Sequence, residues 1–281
     1  MGIVNVTPDS FSDGGRFLRP DAAVAHALAL AADGADILDV GGESTRPGAE
    51  PVAVEEELRR VLPVIEGIAG ASGSLPSRPQ ISIDTSKSAV AAAALAAGAS
   101  LVNDVSAFRA DPEMAAVVAD AEADCCLMHM LGEPRTMQDD PRYGDVVDDV
   151  REFLQERLGF ALDAGVARER IMLDPGIGFG KTEQHNLELL RRLDELVALG
   201  PPIVIGTSRK SFLGRIGGAS ADPERLAGTI ATNVLALERG ARVFRVHDVA
   251  RLREALAVAA ATLAGRWTES RGARTRTTQT S

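Results

Sequence analysis

Ile171-Met-Leu-Asp-Pro-Gly-Ile-Gly-Phe-Gly-Lys181 carries the pattern on which the predicted fold rests. A short apolar run ends on a carboxylate, Asp174, and a glycine-rich turn carries the chain to a lysine. The same order of apolar run, polar residue, turn and helical stretch occurs eight times along the chain. We therefore expect parallel strands that alternate with helices. In a closed barrel of such units the functional residues collect at the carboxyl ends of the strands.

The predicted strands and helices cover nearly the whole chain. Apolar runs predict strands at 2–6, 37–40, 81–84, 101–104, 125–130, 171–174, 202–206 and 243–246. Cap residues and periodic apolar residues predict helices at 21–33, 52–69, 89–97, 146–164, 183–199, 223–239 and 247–264, with another that Asp111 and Pro112 open. The pattern predicts a single (β/α)8 TIM barrel, an α/β fold, over 1–267 and a disordered tail over 268–281.

A doubly wound open sheet is the alternative fold. Such a sheet normally has fewer strands of this regularity and carries a phosphate-loop or dinucleotide fingerprint. The stretch 176–182 resembles a Walker A loop, but Pro175 stands where the first glycine should be. No G-x-G-x-x-G follows the first predicted strand either. The barrel is therefore favoured.

The composition favours a small-molecule site over nucleic acid or a membrane. The 281 residues include 40 acidic and 30 basic side chains, a balance that argues against nucleic acid or anionic lipid as the main partner. No apolar run approaches the roughly 20 residues that span a bilayer, and the N-terminus has no secretory signal pattern, so we expect a cytoplasmic protein. Cys125 and Cys126 are adjacent in an apolar run and are predicted to be buried thiols.

Lysine is rare in this chain. Among the 30 basic residues only Lys87, Lys181 and Lys210 are lysines, and each follows an apolar run. A compact ammonium does not interchange with a guanidinium fork, so each surviving lysine calls for a chemical explanation. For Lys87 and Lys181 two explanations stay open, namely contact with a substrate or an internal salt bridge to a strand-end carboxylate.

The residues that close the apolar runs are almost all polar. They are Asn5, Asp39, Asp84, Asn103, His129, Asp174, Lys210, Arg245 and His247. On a barrel they converge on one mouth, and each group buried there without a partner costs about 1–3 kcal/mol. We expect a polar ligand with many hydrogen-bonding groups. A rim that satisfies its own hydrogen bonds is the alternative.

Seven strings, in this order, carry a family resemblance. They are Asn5-Val-Thr-Pro-Asp-Ser-Phe-Ser-Asp-Gly-Gly15, Gly42-Glu-Ser-Thr-Arg-Pro-Gly48, Ile83-Asp-Thr-Ser-Lys87, Asn103-Asp104, Asp174-Pro-Gly-Ile-Gly-Phe-Gly-Lys181, Ser208-Arg-Lys-Ser-Phe212 and Arg245-Val-His-Asp248. Together they resemble dihydropteroate synthase over essentially the whole chain up to the tail. The resemblance implies a transferase of folate biosynthesis that joins 6-hydroxymethyl-7,8-dihydropterin diphosphate to p-aminobenzoate and releases diphosphate. It also implies Mg²⁺, a homodimer and inhibition by sulfonamides.

The resemblance also implies which residues form each part of the site. The pterin is expected to contact Asp84, Asn103, Asp174, Lys210 and Arg245. p-Aminobenzoate is expected between Phe11, Thr45, Pro47, Phe179 and Ser211. The diphosphate is expected at Asn5, Arg46, Arg245 and His247, with Asn5 also a ligand of Mg²⁺. The catalytic residues implied are Asp84, Lys210, Asp13 and Arg46, with the two carboxylates stabilising a cationic methylene group.

Two other functions share parts of this pattern. A methyltetrahydrofolate-binding methyltransferase-type barrel has a similar acidic-amide pterin pocket, but the intact Ser-Arg-Lys, Arg-Val-His and first-loop strings argue against it. A catalytically silent paralogue would bind a pterin or a partner protein without turnover. Loss of a motif would favour that alternative, and the seven strings are intact.

Overall fold

The computed structural model describes residues 1–7, 20–45, 48–71, 78–133, 135–218, 221 and 223–266. The predicted tail at 268–281 lies outside these residues, so its disorder stays a prediction. Within the described ranges, no helix combines the length and the apolar character that a bilayer crossing requires.

Across the described ranges, eight parallel strands form a closed ring in chain order. They are β1 (Gly2–Asn5), β2 (Ile37–Gly41), β3 (Gln80–Asp84), β4 (Leu101–Asp104), β5 (Asp124–Met128), β6 (Ile171–Asp174), β7 (Val204–Ile205) and β8 (Val243–Phe244). β1 to β6 form one continuous sheet and β7 pairs with β8. Single bridges close the ring, Leu173 to Ile203 between β6 and β7 and Gly2 to Val246 between β8 and β1. The predicted TIM barrel is confirmed, and the open sheet is excluded.

The last two strands are shorter than the sequence predicts. Pro201 and Pro202 have no N–H to donate, so Pro202 only accepts a hydrogen bond, from Leu173 N at 3.0 Å. The regular ladder of β7 therefore begins at Val204. The ring still closes beside β8, because Ile3 N donates to Val246 O at 3.1 Å and Val246 N donates to Met1 O at 2.9 Å.

The helices surround the barrel. They are α1 (Pro20–Ala32), α2 (Val54–Ala71), α3 (Ser88–Ala96), α4 (Met114–Asp120), α5 (Val146–Asp163), α6 (Glu183–Arg191), α7 (Leu193–Val197), α8 (Ser211–Gly217), α9 (Leu226–Glu238) and α10 (Val249–Ala264). The predicted helix 183–199 is wrong as one element, because Arg192 leaves the helical region at φ −107° and ψ 28° and divides it into α6 and α7.

The predicted start of the fourth helix is also wrong. α4 begins at Met114, and the Asp111 carboxylate instead accepts hydrogen bonds from Glu113 N at 3.0 Å and from Ser88 N at 2.8 Å. Because Ser88 is the first residue of α3, Asp111 satisfies a free N–H of the neighbouring helix. The last helix likewise begins at Val249, two residues later than predicted.

The core has an apolar layer between strands and helices and a partly polar layer inside the ring. Fully buried aliphatic side chains such as Leu38, Ile83 and Leu173 fill the core. Buried polar residues, Asp39 and Ser82 among them, stand beside one another in the register of β2 and β3. Burying polar groups costs free energy unless they are hydrogen-bonded, so the polar layer requires partners at the mouth. The predicted buried thiols Cys125 and Cys126 are confirmed.

Candidate active site

Arg245 connects two buried carboxylates at the mouth of the barrel. Its Nε donates to Asp39 Oδ2 at 2.6 Å and its terminal NH2 donates to Asp84 Oδ2 at 2.7 Å. Asp39 is fully buried and also accepts from Ser82 Oγ at 2.5 Å and Asn103 Nδ2 at 3.1 Å. Asp39 therefore holds Arg245 and Asn103 in place. The sequence marks Asp39 only as a strand-end residue, and its role as a shared acceptor was missed.

Charge at this cluster depends on burial and on the Arg245 guanidinium. Burial raises the pKa of the Asp84 carboxyl to about 7, against the opposing effect of Arg245 and with a further contribution from Asp39. Burial also works against the Arg245 cation, yet Asp39 and Asp84 together raise its pKa above the usual arginine value. Arg245 therefore stays charged, and the ionised fraction of Asp84 changes near neutral pH.

The glycine-rich loop after β6 folds back onto Asp174. Gly176 N donates to Asp174 Oδ1 at 2.7 Å, and burial raises the pKa of this carboxyl although that hydrogen bond and Lys210 act in the opposite direction. Gly176 has φ +67°, and a Cβ there would lie 1.9 Å from His129 O. Only glycine fits this close approach. Further along, Gly178 N donates to the buried Asn186 Oδ1 at 2.7 Å, which holds the middle of the loop.

Lys210 lies against the same loop. Its Nζ donates to Ile177 O and stands 4.1 Å from the centre of the Phe179 ring. Burial lowers the pKa of Lys210 to about 7, although Asp174 acts to raise it. Gly178, with φ +81°, leaves just enough room, because a Cβ there would lie 2.8 Å from Lys210 Cδ. The Lys210 ammonium, the Asp174 carboxylate and the Phe179 ring are thus brought together at the glycine-rich loop after β6.

Two loops that carry predicted site residues are tied together by an ion pair. Arg209 has φ +57°, and its guanidinium donates to both oxygens of Asp248, at 3.0 Å and 2.7 Å. Beside it, Ser208 Oγ lies 2.9 Å from His247 Nδ1 and accepts from His247 N at 3.2 Å. The backbone immediately before Lys210 is thereby fixed relative to His247. Sequence reasoning quoted Arg209 and Asp248 within motifs but did not predict this pairing.

The two ambiguous lysines have different partners. Lys87 Nζ donates to Glu43 and to Glu57, so this lysine forms an internal salt bridge. Lys181 is buried; its Nζ lies 2.8 Å from His129 Nδ1 and donates to Phe179 O at 3.0 Å. The hydrogen-bond partners described for Lys181 are thus an imidazole and a carbonyl.

Burial sets the protonation states of Lys181 and His129. It lowers the pKa of Lys181 well below the usual lysine value and, together with the nearby Lys181, lowers the pKa of His129 to about 2. His129 is therefore neutral at physiological pH. It also stacks edge-on against Phe153, with ring centres 4.8 Å apart, which fits a structural histidine.

The remaining predicted site residues lie around this centre. Asn5 is half-buried at the end of β1, and Thr45 is half-buried in the segment after β2. Ser211 is exposed as the first residue of α8. Phe11, Asp13, Arg46 and Pro47 lie outside the described residues, and their positions stay predictions.

The described side chains offer few ligands for a metal ion. In the described part of the chain, no group of three or more His, Cys, Asp or Glu side chains could hold a metal ion. Mg²⁺ usually keeps several waters and takes few protein ligands beside substrate phosphates. The half-buried amide of Asn5 offers an oxygen ligand of the suitable hard type. The residues present therefore fit a cation held mainly by the substrate and water.

Comparisons with known proteins give one consistent result. A family model described as pterin binding enzyme matches residues 1–247. The dihydropteroate synthase of Escherichia coli strain K12 is 45% identical over 266 residues, which cover 95% of this chain and 92% of that relative.

Solved structures agree with the sequence comparisons. The Xanthomonas albilineans dihydropteroate synthase with 4-aminobenzoic acid has a TM-score of 0.87 and 49% identity, covering 94% of this chain and 92% of that one. The Yersinia pestis dihydropteroate synthase in a sulfonamide drug complex has a TM-score of 0.87 and 42% identity, covering 94% and 93%. The similarity thus extends over the whole barrel in both sequence and shape.

Proposed function

The chain belongs to the dihydropteroate synthase family of pterin-binding enzymes, and on this premise we propose that it joins 6-hydroxymethyl-7,8-dihydropterin diphosphate to p-aminobenzoate and releases diphosphate. The observation that carries the proposal is the polar cluster at the barrel mouth. Asp84 and Asp174 are buried there, and the partly buried Lys210 and Arg245 add donors beside these acceptors. Such a site suits a flat heterocycle with donors on one edge and acceptors on another.

The pterin binds inside the mouth. Its amino-pyrimidine edge presents N–H groups, which the Asp174 carboxylate accepts, and charge-assisted hydrogen bonds of this kind are the strong ones. Lys210 donates to the acceptors of the ring, and Asn103 adds amide hydrogen bonds. Arg245 stays in its fork between Asp39 and Asp84 and offers the flat face of its guanidinium to the ring.

The diphosphate group extends from the pterin towards the ends of β1 and β8. Asn5 and His247 contact it there, joined by Arg46 and by the charge of Arg245. A bound Mg²⁺ would supply positive charge that stabilises the departing diphosphate. Asn5 is the protein ligand we assign to it.

Bond cleavage precedes or accompanies attack. The C–O bond between the pterin methylene and the diphosphate breaks, the electron pair leaves with the diphosphate, and positive charge develops on the methylene carbon. The ionised Asp84 carboxylate stabilises that charge; burial raises the pKa of Asp84, and Arg245 acts in the opposite direction, towards the ionised form. We assign the same task to Asp13. The aniline nitrogen then forms the new C–N bond, and its surplus proton passes to solvent water.

p-Aminobenzoate needs to be positioned more than activated. Its aniline nitrogen is a weak base with a free lone pair, so the correct distance and angle to the carbocation supply most of the acceleration. Phe179 forms an apolar wall beside Lys210, and Thr45 and Ser211 bind from the neighbouring loops. Phe11 and Pro47 complete this predicted subsite.

The active form is proposed to be a homodimer in the cytoplasm. Apolar side chains on the outer helices support the dimer: Leu235 on α9 is 47% exposed and Val258 on α10 is 65% exposed. The two free thiols, Cys125 and Cys126, agree with a reducing compartment. Sedimentation equilibrium of the full chain tests the dimer.

Diphosphate release is the experiment that tests the function. We expect the full chain to release diphosphate from the pterin diphosphate only when both p-aminobenzoate and Mg²⁺ are present. Tight pterin binding without any p-aminobenzoate-dependent release would identify a silent paralogue. Transfer of a methyl group from methyltetrahydrofolate would identify the methyltransferase-type alternative.

A further inference from the structure

The segment that follows β2 packs closely against α2 at Gly42. A Cβ added at Gly42 would lie 2.7 Å from Val61 Cγ1 and 3.0 Å from Glu57 Cγ, so the backbone has no space to move towards the helix. Arg60 on the same helix donates from NH1 to Gly42 O at 2.8 Å. The path of the chain at residue 42 is therefore set by α2, three residues before Thr45.

Lys87 extends this attachment to the next residue of the segment. Its Nζ donates to Glu43, which follows β2, and to Glu57 Oε2 at 2.5 Å, which belongs to α2. Lys87 itself follows β3 and precedes α3. One ammonium thus joins three separate parts of the chain, and the part that it joins at Glu43 leads two residues later to Thr45.

The cluster is buried enough for its charges to depend on one another. The Glu57 side chain is 0% exposed, and its Oε1 has no hydrogen-bond partner among the residues that the structure describes. Burial works against the Lys87 ammonium, yet its hydrogen bonds with Glu43 and Glu57 raise its pKa above the usual lysine value. Removing one partner of a buried ion pair leaves the other charge uncompensated, so Lys87 is required for this local arrangement.

We propose that Lys87 is a positioning residue for the second substrate. It touches neither substrate; through Glu43 it sets the course of residues 43–45, and so the place of Thr45 in the p-aminobenzoate subsite. The inference rests on the proposed function. In the described part of the chain, the hydrogen bonds of the pterin residues Asp84, Asn103, Asp174, Lys210 and Arg245 do not include this cluster. A change at Lys87 is therefore expected to act mainly on p-aminobenzoate.

The test separates positioning from stability. Lys87→Met should lower the melting temperature, because the buried Glu57 loses its partner. It should also raise the KM for p-aminobenzoate about tenfold, since misplacements below 1 Å are enough for losses of that size. The double variant Lys87→Met, Glu57→Gln removes the buried charge, so its melting temperature should recover while its KM stays high. In calorimetric titrations both variants should bind the pterin diphosphate with Mg²⁺ as the unaltered chain does.

Two further variants provide a second test at Glu43 and a control at Arg170. Glu43→Gln removes only the partially exposed end of the bridge, so it should fold normally and raise the same KM even if Lys87→Met does not fold. Arg170→Met is the matched control, because it breaks a half-exposed pair with Asp124 at the opposite end of the strands. It should leave the KM for both substrates unchanged.

Failure of the proposed function and failure of the inference about Lys87 give different results. An unaltered chain without p-aminobenzoate-dependent diphosphate release would refute the proposed function, and this inference with it. An active chain in which the double variant regains both stability and KM, or in which Glu43→Gln has an ordinary KM, would overturn the inference alone. Equal losses of pterin affinity and p-aminobenzoate KM in Lys87→Met would also overturn it.

Discussion

Replacing Gly178 with alanine places a methyl group against the stem of Lys210. The added Cβ would lie 2.8 Å from Lys210 Cδ, whereas non-bonded carbon atoms prefer about 3.5 Å or more, so the side chain must move by about 0.7 Å. The backbone at φ +81° adds strain of about 1–2 kcal/mol for a residue with a Cβ. The ammonium is then displaced from Ile177 O and from its place above Phe179.

Gly178→Ala should lose more activity than its loss of folding stability can account for. A displacement approaching 1 Å costs up to about a hundredfold in rate, so kcat/KM in the diphosphate-release assay should fall by about 10- to 100-fold. Gly165→Ala is the matched control: it has φ +96°, and its new Cβ would meet only Ala119 Cβ at 3.8 Å. It should lose similar stability and keep its kcat/KM. Equal kinetics in the two variants would refute the placement of Lys210 in the mechanism.

Four other predictions concern the site. Lys210→Arg should be severely impaired although it keeps the charge, because a planar fork does not fit a cavity built for an ammonium; near-normal turnover would contradict this. Burial raises the pKa of Asp84 and lowers that of Lys210, each to about 7. Because activity needs the ionised carboxylate and the charged ammonium, kcat/KM should follow a narrow bell-shaped profile around neutral pH. A flat profile from pH 5 to 9 would contradict this prediction. Asp84 also makes the free energy of unfolding depend on pH. Its pKa is higher in the folded than in the unfolded chain, so the stability that it contributes is complete below about pH 4 and is lost as the pH rises through 7. Sulfonamides, which carry an aniline and an anionic end, should compete with p-aminobenzoate in steady-state kinetics, and purely non-competitive inhibition would place the aminobenzoate subsite elsewhere.

Local patterns were sufficient for the barrel. Each apolar run that ends on a polar residue became a strand whose end lies at the mouth, and the order of the runs became the order of the strands. The details that failed depend on contacts between distant residues. The helix break at Arg192 accompanies side-chain bonds to Glu195 and to Asp145, and the latter lies 47 residues away.

In the site, too, contacts between distant residues could not be predicted from local patterns. Its strand-end residues could be predicted because parallel strands present their carboxyl ends together. The partners of those residues could not, since Arg245 bonds to Asp39 across 206 positions and Arg209 bonds to Asp248 across 39. For the same reason the sequence left Lys87 open between substrate contact and an internal salt bridge, and only the fold identifies Glu43 and Glu57 as its partners.

Calorimetric titration with the pterin diphosphate and Mg²⁺ tests most directly whether the Asp174 carboxylate holds the pterin. Asp174→Asn replaces a double acceptor with a group that turns an N–H₂ towards the donor edge of the ligand, which leaves unpaired groups worth about 1–3 kcal/mol. We predict that this variant binds the pterin diphosphate about 5- to 150-fold more weakly than the unaltered chain, since 1.4 kcal/mol corresponds to tenfold. Thr45→Val, a change in the aminobenzoate subsite, should bind it unchanged. A well-folded Asp174→Asn variant with undiminished pterin affinity would contradict the account.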